Sequence, residues 1–324
     1  MQAIQIQQMG GPEVMVLREL PTPSPGAGEA LIRLEASGVN FIDVYLREGR
    51  YPAPLPYVLG QEGAGTIVAL GESTAQSGLK VGDRVVWCSL PGAYAQMAVA
   101  PVSRLIRIPD EVTSQQAAAA MLQGMTAHYL AHSTYNIQPE DEILVHAGAG
   151  GVGLLLIQMA KSLGARVFTT VSNEEKAELA REAGADEVIL YTREDFAAAV
   201  KKKVSGPGLA AVYDSVGKTT FEKSLEVLRP RGMVVLFGAS SGAVPPFDLI
   251  QLSRKGSLYV TRPTLHDYTA TREELVARAE SVLHDVGGGA LKLRIAHVYQ
   301  LGDAANAHRD LEARRTTGKV LLIP

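Results

Sequence analysis

Three glycines stand at fixed spacing in the middle of this sequence. Gly148, Gly150 and Gly153 fit the pattern G-x-G-x-x-G. They follow the apolar run Ile143–Val145 and precede a long apolar segment. In such a turn the first glycine permits a sharp bend, the second lets the backbone approach a pyrophosphate, and the third brings helix and strand close together. Because a strand precedes the turn, and a helix and a second strand follow it, the pattern indicates dinucleotide binding rather than a packing turn.

The end of the second strand of this region selects the cofactor, since an Asp or Glu there binds the ribose 2′-hydroxyl of NAD. That residue is expected about 20 positions beyond the glycines, where this chain has Val171–Asn173 and no acid. Ser172 and Asn173 can donate hydrogen bonds to a 2′-phosphate, and Lys176, one turn into the helix, can add positive charge. Alternatively, Lys176 is a solvent-exposed helix residue without a role in binding. The two neighbouring glutamates weaken the positive electrostatic potential at this position. The pattern favours NADPH.

Two further strand ends lie at the same predicted edge of the sheet. Tyr191 ends the third strand, where adenosine lies in a doubly wound sheet, so it either contacts the nucleotide or packs. Gly238 follows Phe237 at the end of the fifth strand, where the lack of a side chain would admit the nicotinamide half of the cofactor.

Metal and covalent chemistry receive little support. His128 and His132 could share a helix face, but the glutamate of H-E-x-x-H and a third ligand are missing. Cys88 beside Trp87 is typical of a small buried apolar residue, and no Ser-His-Asp or Cys-His arrangement can be argued. Neither a metal nor a covalent nucleophile is expected.

The bulk properties are those of a globular enzyme. The chain has 324 residues, 46% hydrophobic residues and a net charge of -3, so no basic field for nucleic acid or an anionic membrane is expected. Apolar segments fall short of the roughly 20 residues that a membrane span needs. A single cysteine and a start without a secretory signal pattern favour a cytoplasmic protein.

The elements that position these residues follow two different sequence patterns in two parts of the chain. Residues 1–102 show short β-like runs separated by Gly and Pro, with two polar, aromatic loops at 38–52 and 58–65. From Thr113 the sequence pattern is helical, and strand and helix patterns then alternate, which predicts a parallel sheet covered on both faces. The strands of this region are predicted at 142–146, 165–171, 187–191, 209–213, 233–237 and 257–261. In the final segment we expect a helix at 271–286, a strand at 294–299, a helix at 303–315 and a strand at 319–323.

The whole chain resembles the quinone oxidoreductase, or zeta-crystallin-like, family of the medium-chain dehydrogenase/reductase superfamily. The resemblance rests on the segments MGGPEV, GVNFIDVYLREGRYP, LGQEGAG, VGDRV, HAGAGGVG, VYDSVG, LFGASSG, SLYVTRP and GKVLLIP. Zinc alcohol dehydrogenases of this superfamily have a cysteine at the position of Asn40 and Gly-His-Glu at Gly60–Glu62, where this chain has Gly-Gln-Glu. Their four-cysteine zinc lobe is also missing. The resemblance therefore implies a reductase without zinc.

The same resemblance implies an α/β architecture. A doubly wound, Rossmann-type parallel-sheet domain at residues 123–263 would bind NADPH, and a β-rich, GroES-like catalytic domain would comprise residues 1–122 and be completed by 264–324. The residues implied to hold NADPH are Asn40, Thr126, Gly150, Gly151, Val152, Asn173, Lys176, Tyr191, Ser215, Phe237 and Arg314. The residues implied to line the substrate side are Asn40, Tyr45 and Tyr51.

The expected activity is reduction of a quinone by NADPH. A flat apolar ring can stack on nicotinamide and tyrosine faces, while amide or hydroxyl donors meet the carbonyl oxygens. Tyr45 and Tyr51 could instead pack within their loop. The identity of the quinone, one-electron or hydride transfer, and the proton donor stay open at this level. The alternatives are reduction of enals or enones and a non-catalytic, structural or RNA-associated role with bound NADPH. In relatives the edge strands of the nucleotide domains pair, so the segment SLYVTRP predicts a homodimer.

Overall fold

The last strand of the chain lies beside one of the first. In the computed structural model, which describes residues 1–324, the strand Lys319–Ile323 pairs antiparallel with Glu29–Val39, and Val320 lies opposite Val39. The N-terminal and C-terminal parts of the chain therefore share one sheet. They form one compact unit, Met1–Met125 with Thr269–Pro324, and the segment Thr126–Tyr268 forms the second unit.

The strands, in chain order, are β1 (Gln2–Ile6), β2 (Val16–Glu19), β3 (Glu29–Val39), β4 (Tyr57–Val58), β5 (Glu62–Leu70), β6 (Arg84–Cys88), β7 (Met97–Pro101), β8 (Ile106–Arg107), β9 (Glu142–His146), β10 (Arg166–Val171), β11 (Glu187–Leu190), β12 (Leu209–Asp214), β13 (Leu228–Leu236), β14 (Tyr259–Thr261), β15 (Ile295–Gln300) and β16 (Lys319–Ile323). The α-helices are α1 (Phe41–Arg47), α2 (Ser114–Tyr129), α3 (Gly151–Ser162), α4 (Glu174–Glu182), α5 (Phe196–Lys203), α6 (Phe221–Leu225), α7 (Ile250–Arg254), α8 (Arg272–Gly287) and α9 (Ala304–Glu312). A π-helical turn, Leu130–Thr134, follows α2, and short 3₁₀ turns occupy Pro12–Val14, Ala75–Ser77, Val102–Arg104, Asp267–Thr269 and Leu301–Asp303. None of these helices combines the length and the apolar character that crossing a bilayer requires.

The first unit is built on a seven-stranded sheet. Its order is β15-β16-β3-β5-β6-β8, with β7 also paired to β3, and β2-β1-β4 form a second, three-stranded sheet. The inward side chains of β3 alternate along the strand, with Ala30, Ile32 and Leu34 in one core cluster, as expected for a strand with a period of two. A second cluster includes Val39 and Leu322, so the C-terminal strand contributes to the same interior.

The second unit is a six-stranded parallel sheet in the order β11-β10-β9-β12-β13-β14. Its strands pair in parallel throughout, and Val145 of β9 has Thr169 of β10 on one side and Tyr213 of β12 on the other. The strand order reverses between β9 and β12, which is the point where doubly wound sheets bind ligands at the carboxyl ends of their strands. The predicted fold class, a doubly wound sheet with a β-rich second domain, is confirmed.

Two expectations about local structure are wrong. The segment 58–65, predicted as a loop, includes the start of β5. The segment 38–52, also predicted as a loop, contains the helix α1. Asn40 caps this helix, and its backbone N–H donates to the carboxylate of Asp43 at 2.9 Å, which closes a capping box.

Candidate functional site

The glycine turn of the second unit leaves no room for side chains. β9 ends at His146 and α3 begins at Gly151, with Gly150 in an extended conformation at the N-cap. A β-carbon on Gly148 would overlap Oγ1 of Thr169 and lie 3.0 Å from the Cβ of that residue. A β-carbon on Gly153 would overlap the carbonyl oxygen of Ala147 and lie 2.9 Å from the Cα of Gly148. The predicted strand, turn and helix are confirmed, and the bare backbone at the start of α3 suits a pyrophosphate.

The end of β10 presents donors instead of an acid. Asn173 caps α4, and its Oδ1 accepts the backbone N–H of Lys176 at 3.0 Å. The amide nitrogen of Asn173 is therefore the atom that can donate away from the helix. Tyr191 follows the neighbouring strand β11 and is 40% exposed. Since Val171 and Leu190 pair across these strands, the structure brings Asn173, Lys176 and Tyr191 to one edge of the sheet.

Glu174 is one of two acids in the first turn of α4 that could repel a 2′-phosphate. Its carboxylate accepts from Nη1 of Arg193 at 2.7 Å, so an adjacent guanidinium balances its charge. The two loops are also tied together, because the hydroxyl of Thr192 donates to the carbonyl oxygen of Ser172 at 2.9 Å. This edge fits the 2′-phosphate of NADPH better than the free 2′-hydroxyl of NAD.

The loops after β12 and β13 are held by a buried carboxylate. Asp214 is 0% exposed and accepts from the backbone N–H groups of Val216 and Gly217 at 2.7 and 2.9 Å. The loop that begins at Ser215 is thereby fixed. A β-carbon on Gly238 would lie 2.6 Å from the carbonyl oxygen of Ser215, so the close approach of these two loops requires a glycine there.

In the first unit, Asn40 lies beside a buried ion pair. Nζ of Lys319 and the carboxylate of Glu62 are in direct contact, and their side chains are 2% and 0% exposed. Oδ1 of Asn40 accepts from Lys319 at 3.0 Å and from Nε2 of Gln123 at 3.2 Å, while Nδ2 of Asn40 donates to Glu62 at 2.9 Å. The second carboxylate oxygen of Glu62 accepts the backbone N–H of Leu122 at 2.5 Å.

Gly38 makes room for this ion pair. A β-carbon at this position would overlap Oε2 of Glu62 and lie 2.6 Å from Nζ of Lys319 and 2.8 Å from the carbonyl oxygen of Ala118. The two charged side chains therefore lie directly over the backbone of β3, two residues before Asn40.

A second buried polar network holds helix α1 from the other side. The hydroxyl of Tyr94 donates to Oδ2 of Asp43 at 3.0 Å, and the Tyr94 hydroxyl oxygen lies 3.2 Å from Nε2 of His308. Nη1 of Arg47 lies 2.9 Å from Nδ1 of His308 and 2.6 Å from a carboxylate oxygen of Glu312. Because a guanidinium can only donate, Nδ1 of His308 is the acceptor and Nε2 carries the proton.

Burial sets the ionisation of this network. Loss of solvent raises the pKa of Asp43 to about 7, against smaller opposing effects of the hydrogen bonds from Asn40 and Tyr94. Burial, followed by the nearby charge of Arg47, lowers the pKa of His308 to about 3. The imidazole is therefore neutral, and one oxygen of Asp43, Oδ1, has no hydrogen-bond partner.

Helix α1 and the residues after it carry an aromatic cluster. The rings of Tyr45 and Tyr51 meet edge to face with centroids 5.8 Å apart, and Phe41 lies 6.1 Å from Tyr45. The guanidinium of Arg50 lies over the ring of Tyr45 at 5.3 Å. Tyr45 is 8% exposed whereas Tyr51 is 40% exposed. Of these two tyrosine rings, that of Tyr51 is therefore the one that a flat ligand can reach.

Comparison with known proteins gives full-length matches. The family models "Alcohol dehydrogenase GroES-like domain" and "Zinc-binding dehydrogenase" match residues 26–110 and 151–278. A quinone oxidoreductase of Pseudomonas aeruginosa is 46% identical over 99% of both chains, and quinone oxidoreductase 1 of Escherichia coli is 43% identical over 99% of both chains. The crystal structure of the Escherichia coli quinone oxidoreductase complexed with NADPH superposes with a TM-score of 0.97 at 42% identity and covers 100% of both chains.

This chain belongs to the quinone oxidoreductase family of the medium-chain dehydrogenases/reductases. The resemblance stated from sequence is confirmed, and so is the GroES-like character of the β-rich domain. In this family member, Gln61 stands where the resemblance places a zinc-binding histidine in zinc dehydrogenases, and its Nε2 donates to the hydroxyl of Tyr57 at 2.7 Å. No group of three or more His, Cys, Asp or Glu side chains is arranged to hold a metal ion.

The remaining sequence-derived site residues of this quinone oxidoreductase relative lie in both units. Thr126 is a buried residue of α2 in the second unit. Arg314 is an exposed residue just after α9 in the first unit, with a left-handed φ of 58°. The structure groups Asn40, Tyr45 and Tyr51 around α1, and it groups the glycine turn, Asn173, Lys176 and Tyr191 at the carboxyl edge of the parallel sheet.

Sequence reasoning missed four residues that hold the site: Glu62, Lys319, Asp43 and Asp214. Three of them carried a signal, and for two of these the signal is an acid at a defined position of an element. Asp214 ends the fully buried strand β12, and Asp43 stands three residues after the N-cap of α1. Lys319, at the head of a buried apolar strand, carried only the signal that a buried lysine needs a partner.

Proposed function

We propose that this protein is a quinone reductase that transfers reducing equivalents from NADPH to a quinone without a metal. The observation that carries the proposal is the similarity to curated quinone oxidoreductases, which are 43 to 46% identical over 99% of both chains. The edge of the parallel sheet agrees with it, because donors and a lysine stand where an NAD-specific acid would be.

The residues of the second unit would hold the cofactor. The backbone around Gly148, Gly150 and Gly153 would bind the pyrophosphate, helped by the N-terminal end of α3. Asn173 and Lys176 would bind the 2′-phosphate by charge-assisted hydrogen bonds, beside Tyr191. The loops at Ser215 and at Phe237–Gly238 would hold the nicotinamide half. When bound, NADPH supplies the reducing equivalents.

The residues of the first unit would hold the acceptor. The ring of Tyr51 and the cluster around Tyr45 offer aromatic faces to a flat apolar ring. The amide of Asn40 would donate a hydrogen bond to an acceptor carbonyl, where negative charge develops during reduction. A quinone is an intrinsically good acceptor, so alignment of donor and acceptor is the main contribution required of the protein.

A second candidate is the reduction of activated alkenes. The observation that favours it is a 2-haloacrylate reductase of Burkholderia, which is 40% identical over 98% of both chains. An activated alkene shares with a quinone a conjugated carbonyl group, and the same aromatic faces and amide donor would serve both.

The assembly we propose is a homodimer formed through β14. This strand is the outer edge of the six-stranded sheet, and it exposes Tyr259 and Val260, which are 57% and 37% accessible. An exposed apolar edge strand is a ready template for pairing with a second copy. We also propose a cytoplasmic protein that acts on a small molecule without nucleic acid, in agreement with the net charge of -3.

The decisive experiment follows the absorbance of NADPH and of NADH with four acceptors in parallel: a small para-quinone, an aromatic ortho-quinone, an enone and 2-chloroacrylate. We expect oxidation of NADPH by one or both quinones and slower oxidation of NADH. A response to the enone or 2-chloroacrylate alone would replace the quinone assignment by the alkene assignment. No oxidation with any acceptor, together with measurable NADPH binding, would favour the non-catalytic role.

A further inference from the structure

Four polar groups of the first unit contact the side-chain amide of Asn40. Its oxygen accepts from Lys319 and Gln123 at 3.0 and 3.2 Å. Its nitrogen donates to Glu62 at 2.9 Å and contacts the carbonyl oxygen of Gly38 at 3.4 Å. Asn40 is 4% exposed and its two charged neighbours are 0% and 2% exposed. Bulk water therefore has little access to these hydrogen bonds and does not readily replace them.

This environment permits one orientation of the amide. Rotation by half a turn would place the NH₂ group against the ammonium of Lys319 and the NH₂ group of Gln123. It would also place the amide oxygen against the carboxylate of Glu62. Three attractive contacts would become repulsive in a buried site, where electrostatic energies are larger than in water. Glu62 and Lys319 together therefore fix the orientation of the Asn40 amide.

The two hydrogens of the Asn40 amide nitrogen are not held equally. The contact with Glu62 has the length of an ordinary hydrogen bond, whereas the contact with Gly38 at 3.4 Å lies beyond the usual range for N–H···O bonds. The second hydrogen is therefore the one that an incoming oxygen can take over. Hydrogen bonds donated by Lys319 to the amide oxygen polarise the group, which strengthens donation from its nitrogen.

We infer that Glu62 and Lys319 are positioning residues of the reaction, which hold the Asn40 amide so that its second N–H hydrogen points to an acceptor carbonyl oxygen. The inference rests on the proposed reduction of a carbonyl acceptor. The pair acts through Asn40 and not by contact with the substrate, because neither charged side chain is accessible. Its two charges cancel, so it orders the amide without adding net charge beside the acceptor.

The test uses the double variant Glu62→Gln/Lys319→Met. Removing one partner alone leaves an uncompensated buried charge and lowers the Tm strongly, whereas removing both partners is tolerated far better. We expect the double variant to keep a Tm within a few degrees of the parent and an unchanged Kd for NADPH. Its kcat with the quinone should fall about a hundredfold, the lower end of the loss seen when one oxyanion-type donor is removed.

A mutant cycle with Asn40→Ala separates this role from a structural one. In the parent, Asn40→Ala should lower kcat by a factor similar to that of the double variant. In the double-variant background it should lower kcat by less than about twofold, because residues that act as a unit are not additive. Full additivity, or a double variant with parental kcat, would overturn the inference. The exposed pair Lys201 and Glu226, replaced as Lys201→Met/Glu226→Gln, is the control and should change nothing.

A readout without turnover keeps the inference separate from the proposed function. With ¹⁵N-labelled asparagine, the Asn40 side-chain amide, assigned by its loss in Asn40→Ala, should exchange its hydrogens slowly in the parent and at least tenfold faster in the double variant. Equal exchange rates would refute the positioning role whether or not the parent reduces quinones. If the double variant does not fold, Glu62→Gln/Lys319→Gln, which retains hydrogen-bonding groups, replaces it in both measurements.

Discussion

Oδ1 of Asn173 accepts the backbone N–H of Lys176 at 3.0 Å. This N-cap bond fixes the side chain of Asn173 before any cofactor arrives, with its amide nitrogen directed away from the helix. It also places Lys176 in the first turn of α4, where the dipole of the helix favours an anion. Two donors of different charge are thus set at one end of the same helix, at the carboxyl edge of the sheet.

Replacement of Lys176 by alanine should weaken NADPH binding by roughly ten- to a hundredfold and leave NADH binding unchanged. The reason is that the lysine adds a charge-assisted bond that only the 2′-phosphate can accept. Titration of both cofactors by calorimetry measures the effect. The control is Lys202→Ala on α5, a lysine with an exposed side chain, which should affect neither cofactor. Equal losses for NADPH and NADH would contradict a role at the 2′-phosphate.

Replacement of Gly153 by alanine should weaken NADPH binding at least about tenfold and lower the Tm by several degrees. The added β-carbon would meet backbone atoms of Ala147 and Gly148, which cannot move without deforming the phosphate-binding turn. Binding and thermal unfolding should be measured side by side. The matched control is Gly206→Ala, where an added β-carbon meets nothing within 4 Å. If both variants bind NADPH alike, the turn does not need a bare backbone.

Stability should depend on pH through Asp43. Burial raises the pKa of Asp43 from its ordinary value near 4 to about 7, so its protonated form contributes stability that is complete below about pH 4 and is lost as the pH rises through about 7. The variant Asp43→Asn does not titrate and should gain several degrees in Tm relative to the parent between pH 5 and pH 8.

His308 provides the internal check on this pH experiment. Its pKa is lowered to about 3, so its contribution is present above about pH 6.5 and is lost as the pH falls. Because His308 is unchanged in Asp43→Asn, its effect cancels from the difference between the two proteins. A Tm difference that stays constant from pH 5 to pH 8 would show that Asp43 is ionised throughout.

Replacement of Tyr259 by lysine should convert the proposed dimer into a monomer. A lysine on an edge strand opposes pairing with another edge because its charge would have to be desolvated. Sedimentation velocity measures the change. Val298→Lys is the matched control, since Val298 is 52% exposed on β15, the edge strand of the other sheet. Dissociation by Val298→Lys and not by Tyr259→Lys would move the interface to the first unit.

The cofactor side of the site is readable from sequence because it depends on contiguous residues. The glycines at 148, 150 and 153, the acid-free segment 171–173 and the lysine three positions later each belong to one turn between two elements. Alternating strand and helix patterns likewise indicate a parallel sheet covered on both faces, and the strand Lys319–Ile323 is found with the predicted bounds.

The acceptor side depends on contacts that no local pattern encodes. Glu62 and Lys319 are 257 residues apart in the chain, and their partnership exists only because β3, β5 and β16 are neighbours in one sheet. The helix α1 was hidden for a different reason. Its seven residues lie in a segment bounded by Gly and Pro, where turn signals outweigh a short helical pattern, and only the pairing of Asn40 with Asp43 marks its start.

Because Gly38 has no side chain, the residues allowed at positions 38, 62 and 319 depend on one another. A saturation library at position 38 in the parent background should yield no active variant, because every β-carbon meets the ion pair above it. A library that also frees positions 62 and 319 can remove both charged side chains, so alanine should be the first residue other than glycine to return at position 38. Larger residues should stay rare, because the backbone carbonyl oxygen of Ala118 would still lie 2.8 Å from any β-carbon there. Libraries designed to reshape the acceptor side should therefore vary positions 38, 62 and 319 together.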